Sequence, residues 1–310
     1  MRLLKVLAVS VILASMAYAM PINSSARSCV PGDLLQLISV DYRALKDSPT
    51  AMALKQQLMP ENIKQFESAL KGVGLDPEKD VDTLTFASFR AGKQGLRTVG
   101  VAAGPFNRAA VLKKMKLQKY VPKKYANSDI YPMDGGFVMS FLDDSTLLFG
   151  DSTSIRVALD TRDGQVMGLD TNGNMADMMA DVDSAPVWSI LDQQGTQNAL
   201  HAAMGDASKI ADYDTIKKRL MGSRYSMNFT SGVNFDMTVL TSDTTTAATV
   251  SSLLKGYMLY KKISATPAEK VAVDNTSVDS DGSNVSVHFK ANDQQFQSLM
   301  HSELFAAVTH

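Results

Sequence analysis

Residues 84–101, LTFASFRAGKQGLRTVGV, decide how the chain folds. Leu84 and Phe86 sit on alternate positions, Val99 and Val101 do the same, and the polar stretch RAGKQG separates the two runs. A period of two sends successive side chains to opposite faces of a strand, so this segment is expected to be an antiparallel β-hairpin. Upstream, Leu34 to Val40 reads as a buried strand. Pro60 then opens a helix in which Ile63, Phe66 and Leu70 recur at spacings of three and four, ended by Gly72 and Gly74. Downstream, Gly104-Pro105-Phe106-Asn107 leads into a helix through Val111, Leu112 and Met115. A second hairpin follows, with Phe137 to Phe141 and Thr146 to Phe149 joined at Asp143-Asp144-Ser145, and then a short helix carrying Ile155, Val157 and Leu159.

The second half repeats this order. Pro186 to Leu191 reads as a strand, followed by a helical stretch through Ile216 and Leu220 to Gly222. Tyr225, Met227 and Phe229 alternate, Ser231-Gly232 turns the chain, and Val233, Phe235, Met237 and Val239 alternate on the return. Val250, Leu253, Leu254 and Met258 share a helix face; Asp279 to Gly282 joins Val278 to Val285, and a last helix carries Phe296, Leu299, Met300 and Leu304. The expected fold class is therefore α+β: two tandem related modules of antiparallel β-hairpins with helices packed on one face. Module 1 spans 33–165 and module 2 spans 184–310. The Gly-, Asp- and Met-rich stretch between them holds a connector at 166–183.

The first nineteen residues predict export. Arg2 and Lys5 precede an apolar run of about fourteen residues, and the small residues Ala17 and Ala19 fit the −3 and −1 positions of signal peptidase, with cleavage after Ala19. The run is short for a membrane-spanning helix, which needs ~20 apolar residues, and no later segment is long and apolar enough. Residues 20–32 read as a flexible leader. Cys29 is the single cysteine, so no intramolecular disulfide forms, and the charged Ala26-Arg27-Ser28 before it is a poor lipidation box. Asn23, Asn228, Asn275 and Asn284 begin N-x-S/T sequons, which matter only in a eukaryotic source. A disulfide-free exported chain points to a bacterial envelope or exterior, periplasmic or secreted. With 45% hydrophobic residues the chain has the composition of a globular protein. Loss of residues 1–19 leaves twenty-nine basic against thirty-two acidic residues, a formal charge of −3, and no bulk attraction to nucleic acid.

Several short segments resemble an uncharacterised family of bacterial exported proteins, a domain of unknown function. They are Leu37-Ile38-Ser39-Val40-Asp41 leading to Leu45 and Ser48-Pro49, Gly74-Leu75-Asp76-Pro77 running into Asp80-Val81-Asp82, Gly104-Pro105-Phe106-Asn107, and Leu147-Leu148-Phe149-Gly150 before Ala158-Leu159-Asp160. They cover chiefly residues 33–165, and the second half lacks a Gly-x-Asp-Pro counterpart. The resemblance implies export and a tandem α+β fold, and carries no assigned activity.

Catalytic and metal-binding patterns are incomplete. His201, His288, His301 and His310 lack H-E-x-x-H spacing or a cysteine partner, so no metal is expected. Asp279, Asp281 and Gly282 imitate part of a calcium loop, but His288 stands where the bidentate glutamate belongs, which leaves a hairpin turn. Met167, Met175, Met178 and Met179 fit core or interface packing better than copper ligation. Ser68-x-x-Lys71 and Ser252-x-x-Lys255 lack the companion motifs of penicillin-binding enzymes and are expected on solvent-facing helix surface. No G-x-S-x-G or P-loop is present, and Gly72-Val73-Gly74 reads as a helix stop. No cofactor is implied.

One cluster stands out. Lys113, Lys114, Lys116, Lys119, Lys123 and Lys124 crowd around Tyr120 and Tyr125 with no acidic residue among them. Such a patch suits an anionic polymer or a membrane surface, through charge on the lysines and stacking on the tyrosines; as plain structure, it is a solvated helix end. The expected function is a non-enzymatic exported binding or scaffold protein. The alternative is an exported hydrolase with scattered acidic residues at the cleft between modules.

Overall fold

A computed structural model describes residues 21–58, 61–204 and 213–301. The proposed cleavage residues Ala17 and Ala19, and His310, lie outside the described residues. The strands are β1 (Leu34–Asp41), β2 (Thr83–Arg90), β3 (Leu96–Ala103), β4 (Lys123–Tyr125), β5 (Ser128–Pro132), β6 (Val138–Phe141), β7 (Thr146–Gly150), β8 (Val187–Leu191), β9 (Leu220–Asn228), β10 (Val233–Thr241), β11 (Thr276–Asp281) and β12 (Asn284–Ala291). The helices are α1 (Ser24–Ser28), α2 (Tyr42–Leu45), α3 (Pro49–Leu58), α4 (Glu61–Val73), α5 (Pro77–Asp80), α6 (Arg108–Leu117), α7 (Ser152–Arg162), α8 (Gly173–Ala180), α9 (Gln193–Met204), α10 (Tyr213–Lys217), α11 (Thr244–Ser264), α12 (Pro267–Asp274) and α13 (Asp293–Met300).

All twelve strands join one antiparallel sheet in the order β11-β12-β10-β9-β8-β1-β2-β3-β7-β6-β5-β4. The class is α+β. Its seam is the pairing of β1 with β8, from Gln36 opposite Leu191 to Val40 opposite Val187. Outward from the seam the order is β1-β2-β3-β7-β6 on one side and β8-β9-β10-β12-β11 on the other, so each half builds its sheet by the same path; β5 and β4 extend the first half alone.

Helices cover the two halves differently. In the second half the helices that follow β8 lie on one face, where Val239 and Val285 meet Leu200, Ala247 and Val250; on the opposite face α8 covers β8 beside the seam, and farther out Asp236 and His288 are exposed. In the first half both faces are covered. Val99, Val101 and Leu148 pack with Ile155, Ala158 and Leu159 of α7. Ala102, Leu147 and Phe149 pack on the other side with Leu70 and Val73 of α4 and Val111 and Met115 of α6. The cause is visible in β7, where Thr146–Gly150 is buried throughout; an unbroken apolar run has no face left for water.

Two expected linkers are part of the core. The 20–32 leader is not flexible where it is described: α1 packs beneath the sheet, and Ala26, Cys29 and Val30 are buried with α7 and α8. Asn23 donates to the Thr146 hydroxyl at 3.1 Å, and Pro31 bridges to Gly168. The 166–183 connector contains α8, whose Met175, Met178 and Met179 are buried beside Trp188 and Ile190 of β8. Full burial of each such side chain stabilises the fold by roughly 1.5–3 kcal/mol, enough to pull short polar-looking segments into place. The stretch read as helix up to Gly222 ends earlier: Leu220–Asn228 is β9. The halves are also tied through α3, where Ala53 and Leu54 pack with Phe296 and Met300 and the Gln57 amide donates to the Met300 carbonyl at 2.7 Å.

Gly100 is fixed by Phe149. A Cβ at this position would lie 2.1 Å from the Phe149 ring, which crosses β3 to meet Phe86 edge-on at 5.7 Å. Gly100→Ala is therefore expected to cost about 1–3 kcal/mol in urea unfolding through overpacking; an unchanged midpoint would show that the ring lies elsewhere. Cys29 is 0% exposed, and burial pushes its thiol up to about 11. At pH 7.5 it is expected to resist an aromatic disulfide reagent until urea unfolds the chain. Rapid native reaction would place the segment outside the core.

Candidate functional site

The lysine-rich region is built from α6 and the β4–β5 hairpin. Asn107 caps α6 by accepting from the Ala110 amide at 3.1 Å, and burial of Val111 and Met115 sets the inward face. Lys113, Lys114 and Lys116 consequently project to solvent. The helix ends in a Schellman motif: the Lys119 amide donates to Lys116 and the Tyr120 amide to Met115. Lys119 takes a left-handed conformation at φ 63°, a position where glycine avoids the Cβ penalty. Lys123 and Lys124 are exposed on β4, which pairs Lys123 with Ile130 and Tyr125 with Ser128. Tyr120 and Tyr125, expected at a helix end and loop, thus flank the start and close the end of an edge hairpin.

Lys113, Lys114, Lys116 and Lys119 belong to α6 and its end and Lys123 and Lys124 to β4, and the tyrosines lie on opposite sides of the sheet. Tyr120 packs on the α4–α6 side of the sheet and donates to Asp134 at 3.0 Å. Tyr125 packs on the α7 side and donates to Asp160 at 3.0 Å. Its ring already carries the Arg156 guanidinium at 5.0 Å. Burial, and then the neighbouring carboxylate, raises both phenols above their ordinary range. Neither ring is a free stacking platform. Lys124 is paired with Asp129 at 2.9 Å. The other five lysines have no carboxylate in ion-pair contact among the described residues.

Between these lysines stand Leu117 and Val121, 75% and 72% exposed. Neither was singled out from the sequence. The signal was there: Leu117 falls off the Val111/Met115 core stripe, and Val121 follows a helix stop before Pro122. Together they give a cationic edge with apolar tips.

The hydrolase alternative required convergent carboxylates with raised pKa values where the halves meet. At that place Arg90 binds Asp192 at 2.6 Å and Asp33 at 3.0 Å, and Arg224 binds Asp181 at 2.9 Å. A nearby cleft of about 590 Å³, lined by Asp33, Phe89, Arg90 and Asn174 among others, has its guanidinium committed to these pairs. Several carboxylates among the described residues are held low instead: Asp76 beside Lys79, Asp163 beside Arg162, and Asp243, held at about 2 by the Thr246 amide. Asp143 follows, its burial outweighed by hydrogen bonds from Ser25, Ser145 and Thr146. No group of three or more His, Cys, Asp or Glu is gathered for a metal ion among the described residues. His288 instead meets Asp236 at 2.6 Å on the open strand face. Ser68, Lys71, Ser252 and Lys255 are exposed.

No family model and no curated protein matches the chain, in keeping with a resemblance that carries no activity. Among solved structures, crystal form III of TP0453, a Treponema protein, aligns with a TM-score of 0.50 at 9% identity, covering 92% of this chain and 98% of that one. The chain is similar in fold to TP0453. Crystal form I aligns with a TM-score of 0.49 at 7% identity over 94% of this chain and 98% of that one. At such identities the likeness concerns the fold alone.

Lys119→Gly relieves the left-handed strain and is expected to raise stability by up to about 1 kcal/mol, while removing one charge from the edge. A loss of stability in thermal or urea unfolding would show that the lysine side chain holds the turn.

Proposed function

We propose that this is an exported, non-enzymatic binding protein that docks peripherally on an anionic lipid surface through the α6–β4 edge. The observation that carries the reading is the pair of solvent-exposed apolar side chains, Leu117 and Val121, set among the lysines. At a bilayer the lysines meet anionic headgroups while the apolar tips reach the acyl boundary, so charge and burial act together. A soluble anionic polymer would use the lysines and leave Leu117 and Val121 in water. The −3 charge of the processed chain makes this attraction local, so the edge also orients the protein. Among the described residues no helix is long and apolar enough to cross a membrane, which agrees with docking on the surface. Export rests on the leader with Arg2, Lys5, Ala17 and Ala19.

Flotation of the processed chain with phosphatidylglycerol-containing and pure phosphatidylcholine vesicles tests this reading. Binding is expected only to the anionic vesicles, weakening about fivefold per Lys→Ala change, the ~1 kcal/mol typical of a lysine at such a surface. Leu117→Ser with Val121→Ser is expected to weaken it further. Equal binding to both vesicle types, or insensitivity to the six-lysine change, would contradict the proposal; retention of a polyanion by the serine double variant without vesicle binding would favour the polymer.

A further inference from the structure

The end of α11 carries three large apolar side chains that the fold leaves in water: Leu259, Tyr260 and Ile263 are 67%, 68% and 82% exposed. Helix periodicity explains their position. Ala247, Val250, Leu254 and Met258 form the stripe that packs with Val239, Val278 and Val285. Leu259 and Ile263 are four residues apart, so they share a face, and at 100° per residue that face is turned away from the stripe. Upstream on the same outer face stand Thr249, Ser252 and Gly256, which confines the apolar patch to the last two turns. A cluster of this kind marks a place where something else is covered.

The patch and the α6–β4 edge belong to helices on one face of the sheet. Directly opposed residues share a face, and one row runs from Met237 of β10 through Tyr225, Ser189 and Ile38 to Phe86 of β2. Met237 packs with the α11 core and Phe86 with the α4 and α6 core. Charge then narrows the choice of occupant. Residues 244–264 hold Lys255, Lys261 and Lys262 and no aspartate or glutamate. Lys255 meets Asp279 only at 3.8 Å, and Lys262 pairs with Asp274 at the surface, where such pairs are weak enough to be exchanged for lipid phosphates. A second copy seated symmetrically on Leu259 and Ile263 would bring like lysines together. A stable interface also buries about 800 Å² on each partner, more than three side chains supply. An anionic bilayer takes a small apolar patch at its headgroup boundary, welcomes the lysines and suits a tyrosine at that depth.

We infer that the end of α11 is a second membrane contact, with Leu259, Tyr260 and Ile263 entering the headgroup and acyl boundary of the same anionic bilayer on which the α6–β4 edge docks. The inference rests on that docking reading and adds orientation to it. One point of contact leaves the molecule free to pivot, whereas two hold this face of the sheet toward the membrane.

Bimane labels at Leu117→Cys, Ile263→Cys and Asn284→Cys, each placed in the processed chain with Cys29→Ala, test the two contacts separately. Asn284 is exposed and precedes Val285, which faces α11, so its label reports the opposite face. On phosphatidylglycerol-containing vesicles with brominated acyl chains, the Leu117 and Ile263 labels are each expected to lose about half their emission or more, and the Asn284 label to keep it. Leu259→Ser with Ile263→Ser is expected to weaken flotation at least about tenfold, with unchanged Trp188 fluorescence marking an intact fold. Quenching at Leu117 alone would overturn the second contact and leave the α6–β4 edge standing. Quenching at Ile263 alone would uphold the α11 contact and contradict the edge, and quenching at neither would overturn both. Sedimentation velocity without vesicles is expected to show no association through the patch; a dimer abolished by the serine pair, with no quenching at Ile263, would assign the patch to a second copy instead.

Discussion

Everything in this fold depends on the pairing of β1 with β8. Without it each half would end in a bare edge strand, a row of unpaired amides and carbonyls that proteins rarely leave open. With it, one sheet runs through both halves and the largest apolar cluster becomes possible. Leu34 and Leu37 of β1, Phe89 of β2 and Leu148 of β7 share that cluster with Trp188 and Ile190 of β8. The α8 segment closes it from outside and α3 crosses to α13, so backbone pairing, core and helix crossings all tie the halves together. The halves are alike in path and joined in packing.

The parts legible in the sequence were those whose apolar residues keep a strict period. The β2–β3 and β9–β10 hairpins follow from alternation, and α11 and α13 from spacings of three and four. The β4–β5 hairpin was not legible, because KKYANSDIYP has no alternating apolar set and its strands lie at the edge, where one partner suffices. The α8 segment has the composition of a linker because glycine and aspartate surround its methionines; only the third dimension brings three thioethers to Trp188. Coverage of both faces in the first half was present in Leu147-Leu148-Phe149, an apolar run too continuous for a strand with one wet face.

At the candidate site the charges were legible and their company was not. Asp129, Asp134 and Asp160 reach Lys124, Tyr120 and Tyr125 from β5, a following turn and α7. These contacts remove stacking from the tyrosines and leave five lysines with Leu117 and Val121 between them. A lysine at the left-handed Lys119 position, where glycine is less strained, adds charge at a small cost in stability, as residues at functional surfaces often do. The half whose sheet is covered on both faces bears this edge.

Trp188 is the single tryptophan, stands on β8 at the seam and is 1% exposed. Urea unfolding followed by its fluorescence and by far-ultraviolet circular dichroism measures directly whether the seam makes one cooperative structure. Coincident single transitions are expected of one continuous sheet and core. Two separated transitions, or exposure of Trp188 while half of the secondary structure persists, would contradict it.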